Sequence, residues 1–317
     1  MQHLLNQFGR QGIPCFFMID FSKTYSYVYA LNQMPADIQW SMDSLRNTSH
    51  QIKPACSLQI VKPTPFSTYQ AAFNQVIAEM YAGNTYLLNL TFPTQVQTQG
   101  MLLDIFYATQ AKFKLYFRDQ FVCFSPERFI QIQHNTIKTF PMKGTINALL
   151  PNATQQILQD EKEMAEHVMV VDLLRNDLSM VANNVKVQRF RYIDEIQAGQ
   201  RPLLQVSSEI TGQLPHQWQH HLGDMLYTLL PAGSISGTPK HNTLKIIERI
   251  ENYQRGFFTG IFGYFDGQNL DSAVMIRFIE KQPNGQLIYK SGGGITIDSN
   301  TESEYQELLD KVYLPLL

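Results

Sequence analysis

Lys143 is the residue whose surroundings first suggest chemistry. It lies two residues after a proline and directly before a glycine, in the segment Lys138-Thr-Phe-Pro-Met-Lys-Gly-Thr145. Proline fixes the backbone on one side and glycine permits close approach on the other, so this segment can direct an amine into a cavity. A single lysine is usually a solvated surface charge. Its meaning therefore depends on the residues that accompany it.

Three glutamates have positions suited to acid–base or metal chemistry. Glu127 follows Ser-Pro at the end of a predicted strand, Glu166 lies near the middle of a predicted helix, and Glu307 lies on the last predicted helix. Each also has a simpler explanation. Glu127 can pair with Arg128, Glu166 can be an exposed helix carboxylate, and Glu307 can form a weak pair with Lys311 four residues on.

An anion site is indicated by three further segments. Arg277 can hold a carboxylate through two hydrogen bonds, and the run Gly292-Gly293-Gly294 lets main-chain N–H groups approach a ligand. The segment Pro231-Ala-Gly-Ser-Ile-Ser-Gly-Thr-Pro-Lys240 enters a predicted helix, whose first amides favour anions. It lacks the Gly-x4-Gly-Lys-[Ser/Thr] pattern, which disfavours a nucleoside triphosphate. A salt bridge, a bulge and a capped loop are the simpler explanations.

The elements that position these residues follow from the hydrophobic pattern. Alternation over residues 14–31 predicts paired strands, and the polar, proline-containing residues 32–65 predict a long connection. Apolar residues from Phe73 to Met80 have helical spacing that ends at Gly83. Residues 86–140 are rich in strands.

The second half of the chain mixes helices and strands. Residues 154–175 and 217–230 are predicted helices, and 185–190 alternate as a strand. Thr238-Pro239 is a typical helix start, with a hydroxyl cap and a proline in the first turn. The last third returns to strands with two hairpin turns and ends in a helix. The turns are Asp266-Gly267 and Asn284-Gly285, and the helix buries Tyr305, Leu308, Leu309, Val312 and Tyr313.

Composition sets the bounds. The 317 residues are 44% hydrophobic and 16% charged, with a net charge of −2, which describes a globular protein of one large domain or two without a basic field for nucleic acid. No apolar run has membrane-spanning length, and the N-terminus lacks the pattern of a secretory signal. Cys15, Cys56 and Cys123 have no metal-like spacing and are expected to be reduced. These features predict a cytoplasmic protein without nucleic-acid or membrane partners.

Taken in order, the motifs resemble those of the chorismate-utilising enzymes, over roughly residues 66–314. Within that group Lys143 points to component I of aminodeoxychorismate synthase, because anthranilate synthases carry alanine there. The matching segments run from Ala165 to Asp177, Pro231 to Lys240, Gly256 to Tyr264, Ala273 to Arg277, Ser291 to Ser299 and Glu304 to Lys311.

The resemblance implies a fold and a domain organisation. The expected fold is α+β, with two packed, largely antiparallel β-sheets and helices on the outside. Residues 1–317 are expected to form a single chorismate-binding catalytic domain, with 1–65 as a shortened N-terminal strand region and 66–317 as the family core. The short N-terminal region disfavours the tryptophan site of fuller members.

The resemblance also implies roles for individual residues. Lys143 would attack carbon 2 of chorismate while Glu127, as general acid, protonates the departing hydroxyl. Ammonia would then attack carbon 4 and release the lysine. Lys143 must be neutral for this, which requires desolvation and nearby cations. Glu166 and Glu307 would hold Mg²⁺, with Glu163 and Glu304 one turn away; the substrate would contact Arg277, Tyr264, Gly292, Gly293, Gly294, Thr238 and Lys240.

Two departures narrow the activity. Gln205 stands where anthranilate synthases carry histidine, and Leu87 stands near the lysine base of isochorismate and salicylate synthases. The resemblance implies chorismate, ammonia and a separate glutaminase subunit as partners, since the cysteines lack Gly-x-Cys-x-Gly flanks. A non-aromatic product, 4-amino-4-deoxychorismate, is expected. Anthranilate synthase component I and a catalytically silent chorismate-binding subunit remain the alternatives.

Overall fold

The computed structural model describes residues 1–43, 45–48, 54–198 and 201–316 of the chain. Eight α-helices occur in this described part. They are α1 (Gln2–Gln11), α2 (Phe66–Tyr81), α3 (Leu102–Ala108), α4 (Ala153–Gln159), α5 (Glu161–Ser179), α6 (Leu222–Leu229), α7 (Lys240–Glu251) and α8 (Thr301–Asp310).

Eighteen strands occur in the same part of the chain. The first nine are β1 (Cys15–Ile19), β2 (Ser26–Ala30), β3 (Ile38–Met42), β4 (Leu45–Arg46), β5 (Ser57–Lys62), β6 (Leu87–Gln99), β7 (Phe113–Phe117), β8 (Phe121–Ser125) and β9 (Arg128–Gln133). The others are β10 (Thr136–Thr139), β11 (Met142–Asn147), β12 (Asn183–Ala198), β13 (Arg201–Gln213), β14 (Gly237–Thr238), β15 (Ile261–Phe265), β16 (Leu270–Val274), β17 (Phe278–Lys281) and β18 (Leu287–Ile295).

The strands form two nine-stranded sheets whose described pairings are antiparallel. The first has the order β11-β13-β10-β9-β16-β15-β1-β2, with β12 also paired to β13. The second has the order β14-β6-β18-β17-β8-β7-β3-β4, with β5 paired to β6. The N-terminal residues therefore contribute strands to both sheets.

Helices cover the outer faces of the sheets because the strands carry apolar residues on both sides. One buried cluster joins α1, α5 and α6 to the first sheet, and a second lies between the two sheets. Two more join α2, α7 and α8, and separately α3, to the second sheet. The inter-sheet cluster includes Phe16, Met18, Phe262, Trp40, Leu115 and Phe278. The α+β fold with packed antiparallel sheets is confirmed.

Several elements match the sequence pattern closely. The paired strands of residues 14–31 are β1 and β2, and α2 ends just before Gly83, which has a positive φ of 74°. Both hairpin turns are also present, with positive φ at Gly267 and Gly285. In each of these elements, a single turn residue or a regular hydrophobic repeat within the segment is enough to specify the structure.

Other elements differ from the prediction. α1 and α3 were not predicted, and the connection of residues 32–65 contains β3, β4 and β5, apart from residues 44 and 49–53, which lie outside the described part. The helix predicted over 154–175 is two helices, with Asp160 between them as the N-cap of α5. No helix within the described ranges is long and apolar enough to cross a membrane.

Candidate active site

A cavity of about 280 Å³ collects most of the residues singled out in the sequence. Both sheets line it, through β11 and β13 of the first and β6 and β18 of the second. Helices α5 and α8 add side chains from outside. Among its lining residues are Glu127, Lys143, Arg277, Gly292, Gly294 and Glu307. A wider cleft of about 880 Å³ shares Lys143, Arg277, Glu307 and other residues of this lining.

Lys143 is the second residue of β11 and is three-quarters buried. Its Nζ forms a short ion pair with Oε2 of Glu166, a buried carboxylate on α5. Gly144 follows with a positive φ of 78°, and a Cβ there would lie 3.1 Å from Oε2 of Glu163. Glycine at this position thus lets β11 pass close to α5 and brings the lysine amine to the carboxylates.

These carboxylates reverse the expected effect on Lys143. Burial lowers the pKa of the amine, but Glu166, Glu163 and Glu307 outweigh it and hold the pKa above its usual value. The carboxylates therefore oppose the lowering of the Lys143 pKa that the reaction would require. Lys143 is charged in this arrangement because its nearest neighbours are anions.

Four glutamates from two helices form the acidic side of the site. Burial and neighbouring carboxylates raise the pKa of Glu163 on α5 and of Glu304 on α8. Burial also acts on Glu307, but Lys311 outweighs it and lowers that pKa. Glu307 has half of its side chain exposed, and Glu166 has 8% exposed. Mutual repulsion of this kind is relieved when a cation binds.

The acidic cluster fits a divalent cation that takes few protein ligands. Within the described ranges no three His, Cys, Asp or Glu side chains are grouped closely enough to form a complete metal cage. Oε2 of Glu163 is nevertheless buried and lacks a hydrogen-bond partner among the described residues. Carboxylate oxygens are what Mg²⁺ prefers, and it retains waters and ligand oxygens for the rest of its shell.

Glu127 lies on the opposite side of the cavity, in the connection between β8 and β9. It makes a short hydrogen bond as acceptor from the hydroxyl of Ser234. Burial raises the pKa of Glu127, against the opposing effects of Ser234, Arg277 and Lys311. The simple pairing with Arg128 is excluded, because Arg128 binds Asp271 at 2.8 Å and Asp43 at 3.0 Å. A carboxyl whose pKa is raised in a cavity is better suited to act as an acid than a solvated one.

The cationic and backbone donors of the site lie beside the second sheet. Arg277 follows β16, and its Nε is buried without a hydrogen-bond partner in the part of the chain described. β18 lies between β6 and β17. Its pairing with β6 continues through Gly292, Gly293 and Gly294, but its pairing with β17 ends at Lys290. The edge of the glycine run that would face β17 is therefore unpaired, and it borders the cavity. An unpaired guanidinium nitrogen beside an open strand edge is suited to bind a carboxylate.

Gly293 has a different surrounding from its two neighbours. Gly292 and Gly294 line the cavity, whereas a Cβ on Gly293 would lie 3.5 Å from oxygens of Glu304 and Glu307. The central glycine therefore faces the acidic side of the site. The run brings β18 close to both halves of the site.

Three predicted substrate contacts are placed elsewhere. Tyr264 lies on β15, where its ring stacks on Trp40 at 5.8 Å in the inter-sheet cluster. Thr238 lies in β14, paired with Leu87, and α7 begins at Lys240 with Pro239 as its N-cap. Neither Tyr264 nor Thr238 is among the residues that line the cavity, so their substrate contacts stay predictions. The predicted hydroxyl cap of α7 is wrong, because Pro239 is the N-cap and no side chain caps the helix.

Lys240 is also occupied structurally. Its Nζ binds Oδ1 of Asp177 at 2.8 Å and the carbonyl of Leu229 at 3.1 Å. Lys240 is thus held in a largely buried ion pair and is not among the residues that line the cavity, so its substrate contact stays a prediction. The sequence placed Asp177 and Lys240 in separate motifs and offered no signal that they meet.

Sequence reasoning missed two residues of the cavity. Ser234 contacts Glu127, and the Nζ of Lys311 lies 2.5 Å from Glu307 and 2.8 Å from the carbonyl of Gly292. The pairing of Lys311 with Glu307 was foreseen and Glu307 was a predicted site residue, but nothing in the sequence indicated that Lys311 also lines the cavity. Lys311 lies just beyond α8, where helix periodicity gives no signal of a cavity.

The two residues that distinguish the branches of the resemblance both line the cavity. Leu87 on β6 is buried, and Gln205 on β13 faces the same space from the first sheet. An aliphatic side chain cannot take a proton from water, and an amide cannot replace an imidazole as a base. Position 87 therefore has no lysine base and position 205 has no histidine base.

These features define a class of protein: an α+β fold of two packed antiparallel sheets, with a cavity lined by a glutamate, a lysine and an arginine. The sequence pattern that describes chorismate binding enzymes matches residues 16–316. The chain therefore belongs to the chorismate-binding enzyme family.

Individual relatives agree with this assignment. The chain is 51% identical over 320 residues to an uncharacterized PabA-like protein of Haemophilus influenzae, covering 100% of this chain and 97% of that one. It is 36% identical over 260 residues to aminodeoxychorismate synthase component 1 of Salmonella typhimurium, covering 77% of this chain and 56% of that relative. The chain thus spans little more than half of the latter.

A solved structure gives the same fold. MenF, the menaquinone-specific isochorismate synthase of Escherichia coli, superimposes with a TM-score of 0.76 at 15% identity, covering 98% of this chain and 80% of that one. At this identity the likeness concerns the fold alone. The chemistry has to be argued from the residues of the cavity.

Proposed function

We propose that this protein converts chorismate and ammonia to 4-amino-4-deoxychorismate, a step toward 4-aminobenzoate and folate. The observation that carries the proposal is the position of Lys143. It is an amine in the cavity that also contains Glu127, Arg277 and the glycine run. The similarity to aminodeoxychorismate synthase component 1 supports the same activity.

The residues divide the reaction between them. Glu127 gives a proton to the hydroxyl at carbon 4, which leaves as water while the neutral amine of Lys143 forms a bond to carbon 2 and the ring double bonds shift. Ammonia then bonds to carbon 4, the electrons return, and the bond to Lys143 breaks. Arg277 and the backbone of Gly292 and Gly294 hold the carboxylates of the substrate in place.

A divalent cation belongs to the same proposal. Glu166 and Glu307 would hold Mg²⁺, with Glu163 and Glu304 near enough to act on it or its waters. The ion supplies positive charge that balances a dianionic substrate and competes with Lys143 for these carboxylates. Lys143 has a raised pKa because of these anions, so neutralising them favours the uncharged amine that the reaction needs.

The nitrogen source is free ammonia or ammonia released by a separate glutaminase subunit. Cys15 and Cys123 are buried, and burial raises their pKa, which leaves them unreactive as thiols. Cys56 is partly exposed, and burial and Asp104 raise its pKa as well. None of the three has the low pKa of a nucleophilic thiolate.

Anthranilate synthesis is the second candidate, since the two reactions share substrate and nitrogen source. Lys143 and Gln205 favour the synthesis of 4-amino-4-deoxychorismate, because the resemblance implies that an anthranilate synthase carries alanine and histidine at these two positions. A silent binding subunit is the third candidate. The acid, amine, cation-binding carboxylates and arginine together argue against it.

Product identity tests the proposal. The purified protein is incubated with chorismate, ammonium and Mg²⁺, and the products are separated and identified by mass. We expect 4-amino-4-deoxychorismate. Fluorescent 2-aminobenzoate with stoichiometric pyruvate would make the protein an anthranilate synthase, and binding of chorismate without turnover would make it a binding subunit.

A further inference from the structure

The segment from Pro231 to Gly237 borders the cavity and is buried at every residue except Ser234. The half-buried Ser234 hydroxyl donates its hydrogen bond to Oε1 of Glu127. One polar side chain thus projects from a buried segment onto the acid of the site. How the backbone on either side of Ser234 is held decides whether this contact is fixed.

The residue before Ser234 is held by a buried carboxylate. The backbone N–H of Gly233 donates to Asp177, and a Cβ on Gly233 would lie 2.8 Å from Oδ2 of that carboxylate. Asp177 in turn forms the 2.8 Å ion pair with Lys240. The Asp177 side chain is 6% exposed, so solvent screens this pair less than a surface pair.

The residue after Ser234 is held by a second buried ion pair. The carbonyl of Ile235 accepts a hydrogen bond of 2.8 Å from Arg255, and Arg255 binds both carboxylate oxygens of Glu251, at 2.8 and 2.6 Å. Arg255 and Glu251 are almost completely buried. Two independent ion pairs, from α5–α7 and from the C-terminal end of α7, therefore fix the backbone on both sides of one serine.

This arrangement determines which oxygen of Glu127 is free. The serine hydroxyl donates to Oε1, so when the carboxyl is protonated its proton lies on Oε2, the oxygen that can deliver it to a bound molecule. Buried ion pairs contribute little net stability compared with apolar residues. Both pairs lie where they contact the backbone on either side of Ser234.

We propose that Ser234 is a positioning residue for Glu127, and that the ion pairs Asp177–Lys240 and Glu251–Arg255 fix it by holding the backbone on either side. The role of Glu127 as acid rests on the proposed function; the positioning itself does not. Besides Ser234, the charged groups that act on Glu127 are Arg277 and Lys311. All three favour the ionised carboxylate, and burial opposes them.

The first test needs no turnover. Carbon-13 NMR follows the titration of the Glu127 carboxyl, assigned with Glu127→Gln, in the wild type, Ser234→Ala and Ser234→Thr. Loss of the hydroxyl should move the titration to higher pH, while threonine, which keeps a hydroxyl, should stay near the wild type. Ser272→Ala is the matched control, because Ser272 is a buried serine bonded to Ile130 on the first sheet. An unmoved titration in Ser234→Ala overturns the proposal.

The ion pair is tested by removing both charges, since removing one leaves a buried charge without its partner. Asp177→Asn/Lys240→Met should move the Glu127 titration in the same direction as Ser234→Ala, by a smaller amount. A titration that is unchanged in this folded double variant removes the Asp177–Lys240 pair from the proposal.

Kinetics separate this proposal from the proposed function. In chorismate turnover with ammonium, Ser234→Ala should lower kcat roughly 10- to 100-fold with a much smaller change in KM, because the lost hydrogen bond is one that strengthens as Glu127 gives up its proton and becomes charged. The high-pH limb of the pH–rate profile should move to higher pH in Ser234→Ala. Ser234→Thr should retain most of the wild-type rate. Wild-type protein that does not turn over chorismate refutes the proposed function, while the titration still decides the role of Ser234.

Discussion

Lys143 and Glu127 line one cavity but have opposite environments. The amine faces carboxylates that raise its pKa, and the carboxyl lies in a buried position that raises its own. Both environments therefore shift the balance toward the protonated form. In the proposed reaction this favours Glu127 as an acid and opposes Lys143 as a nucleophile, so a cation bound by the acidic cluster would help to make the amine neutral.

Lys143→Ala should abolish amination, with a loss of turnover of about 10³-fold or more, because the proposed covalent step loses its nucleophile. Chorismate binding, measured by calorimetry with Mg²⁺, should remain. Lys138→Ala is the matched control, since Lys138 pairs with Glu209 on the first sheet outside the cavity. Near wild-type turnover by Lys143→Ala would remove the covalent step, and recovery with an added primary amine would support it.

The activity should fall with rising pH where Glu127 loses its proton. A carboxyl with a raised pKa is protonated below that pKa, so the acid is present at lower pH and is lost as the pH rises through the raised value. Glu127→Gln should lower kcat by about 10²–10⁴-fold and should lack this high-pH limb. The rates are compared at constant free ammonia. A limb that persists in Glu127→Gln belongs to another group.

At the scale of elements, α5 and α8 bring their carboxylates together across β11 and β18. Glu166→Gln or Glu307→Gln should each weaken Mg²⁺ binding. Each should also raise the KM for chorismate, because the positive charge of the ion balances the negative charge of the substrate. Binding of the ion is measured by calorimetry. Glu302→Gln, on the exposed first turn of α8, is the control. Full activity in excess chelator would exclude the ion from the reaction.

The glycine run of β18 has two separable functions. A Cβ on Gly292 would lie 2.5 Å from the carbonyl oxygen of Leu90, so Gly292→Ala should destabilise the fold by about 1–3 kcal/mol. In Gly293→Ala the added Cβ would lie 3.5 Å from the nearest carboxylate oxygens, those of Glu304 and Glu307. This variant should therefore retain the thermal stability of the wild type while binding Mg²⁺ more weakly. Thermal unfolding and calorimetry measure the two effects. Equal losses of stability in both variants would contradict this division.

At the scale of the whole molecule, the described chain offers a chorismate cavity and no reactive thiol. The purified protein should use ammonium, better at raised pH where more ammonia is free, and should not use glutamine until a glutaminase is added. It should release the non-aromatic product without pyruvate, because Gln205 supplies no base for removing the side chain. Product mass and a pyruvate assay check both points. Glutamine-dependent turnover by the protein alone would refute the need for a glutaminase.

The sequence by itself determined the elements whose signals are local. Period-two alternation specified β1 and β2, Asp-Gly and Asn-Gly pairs specified two hairpins, and helical spacing specified α2. It also singled out Lys143, Glu127, Arg277 and the glycine run, because their motifs occur in order. These residues meet in one cavity, although their roles remain proposals.

Only the tertiary structure decided which charged side chains face the cavity. Lys240 and Lys143 have similar sequence surroundings, each near a proline and a glycine, yet one forms a structural pair with Asp177 and the other lines the cavity. The pKa of Lys143, the hydrogen bond of Ser234 to Glu127 and the stacking of Tyr264 on Trp40 likewise depend on residues far away in the chain. Burial and electrostatics act through space, so a linear pattern does not contain them.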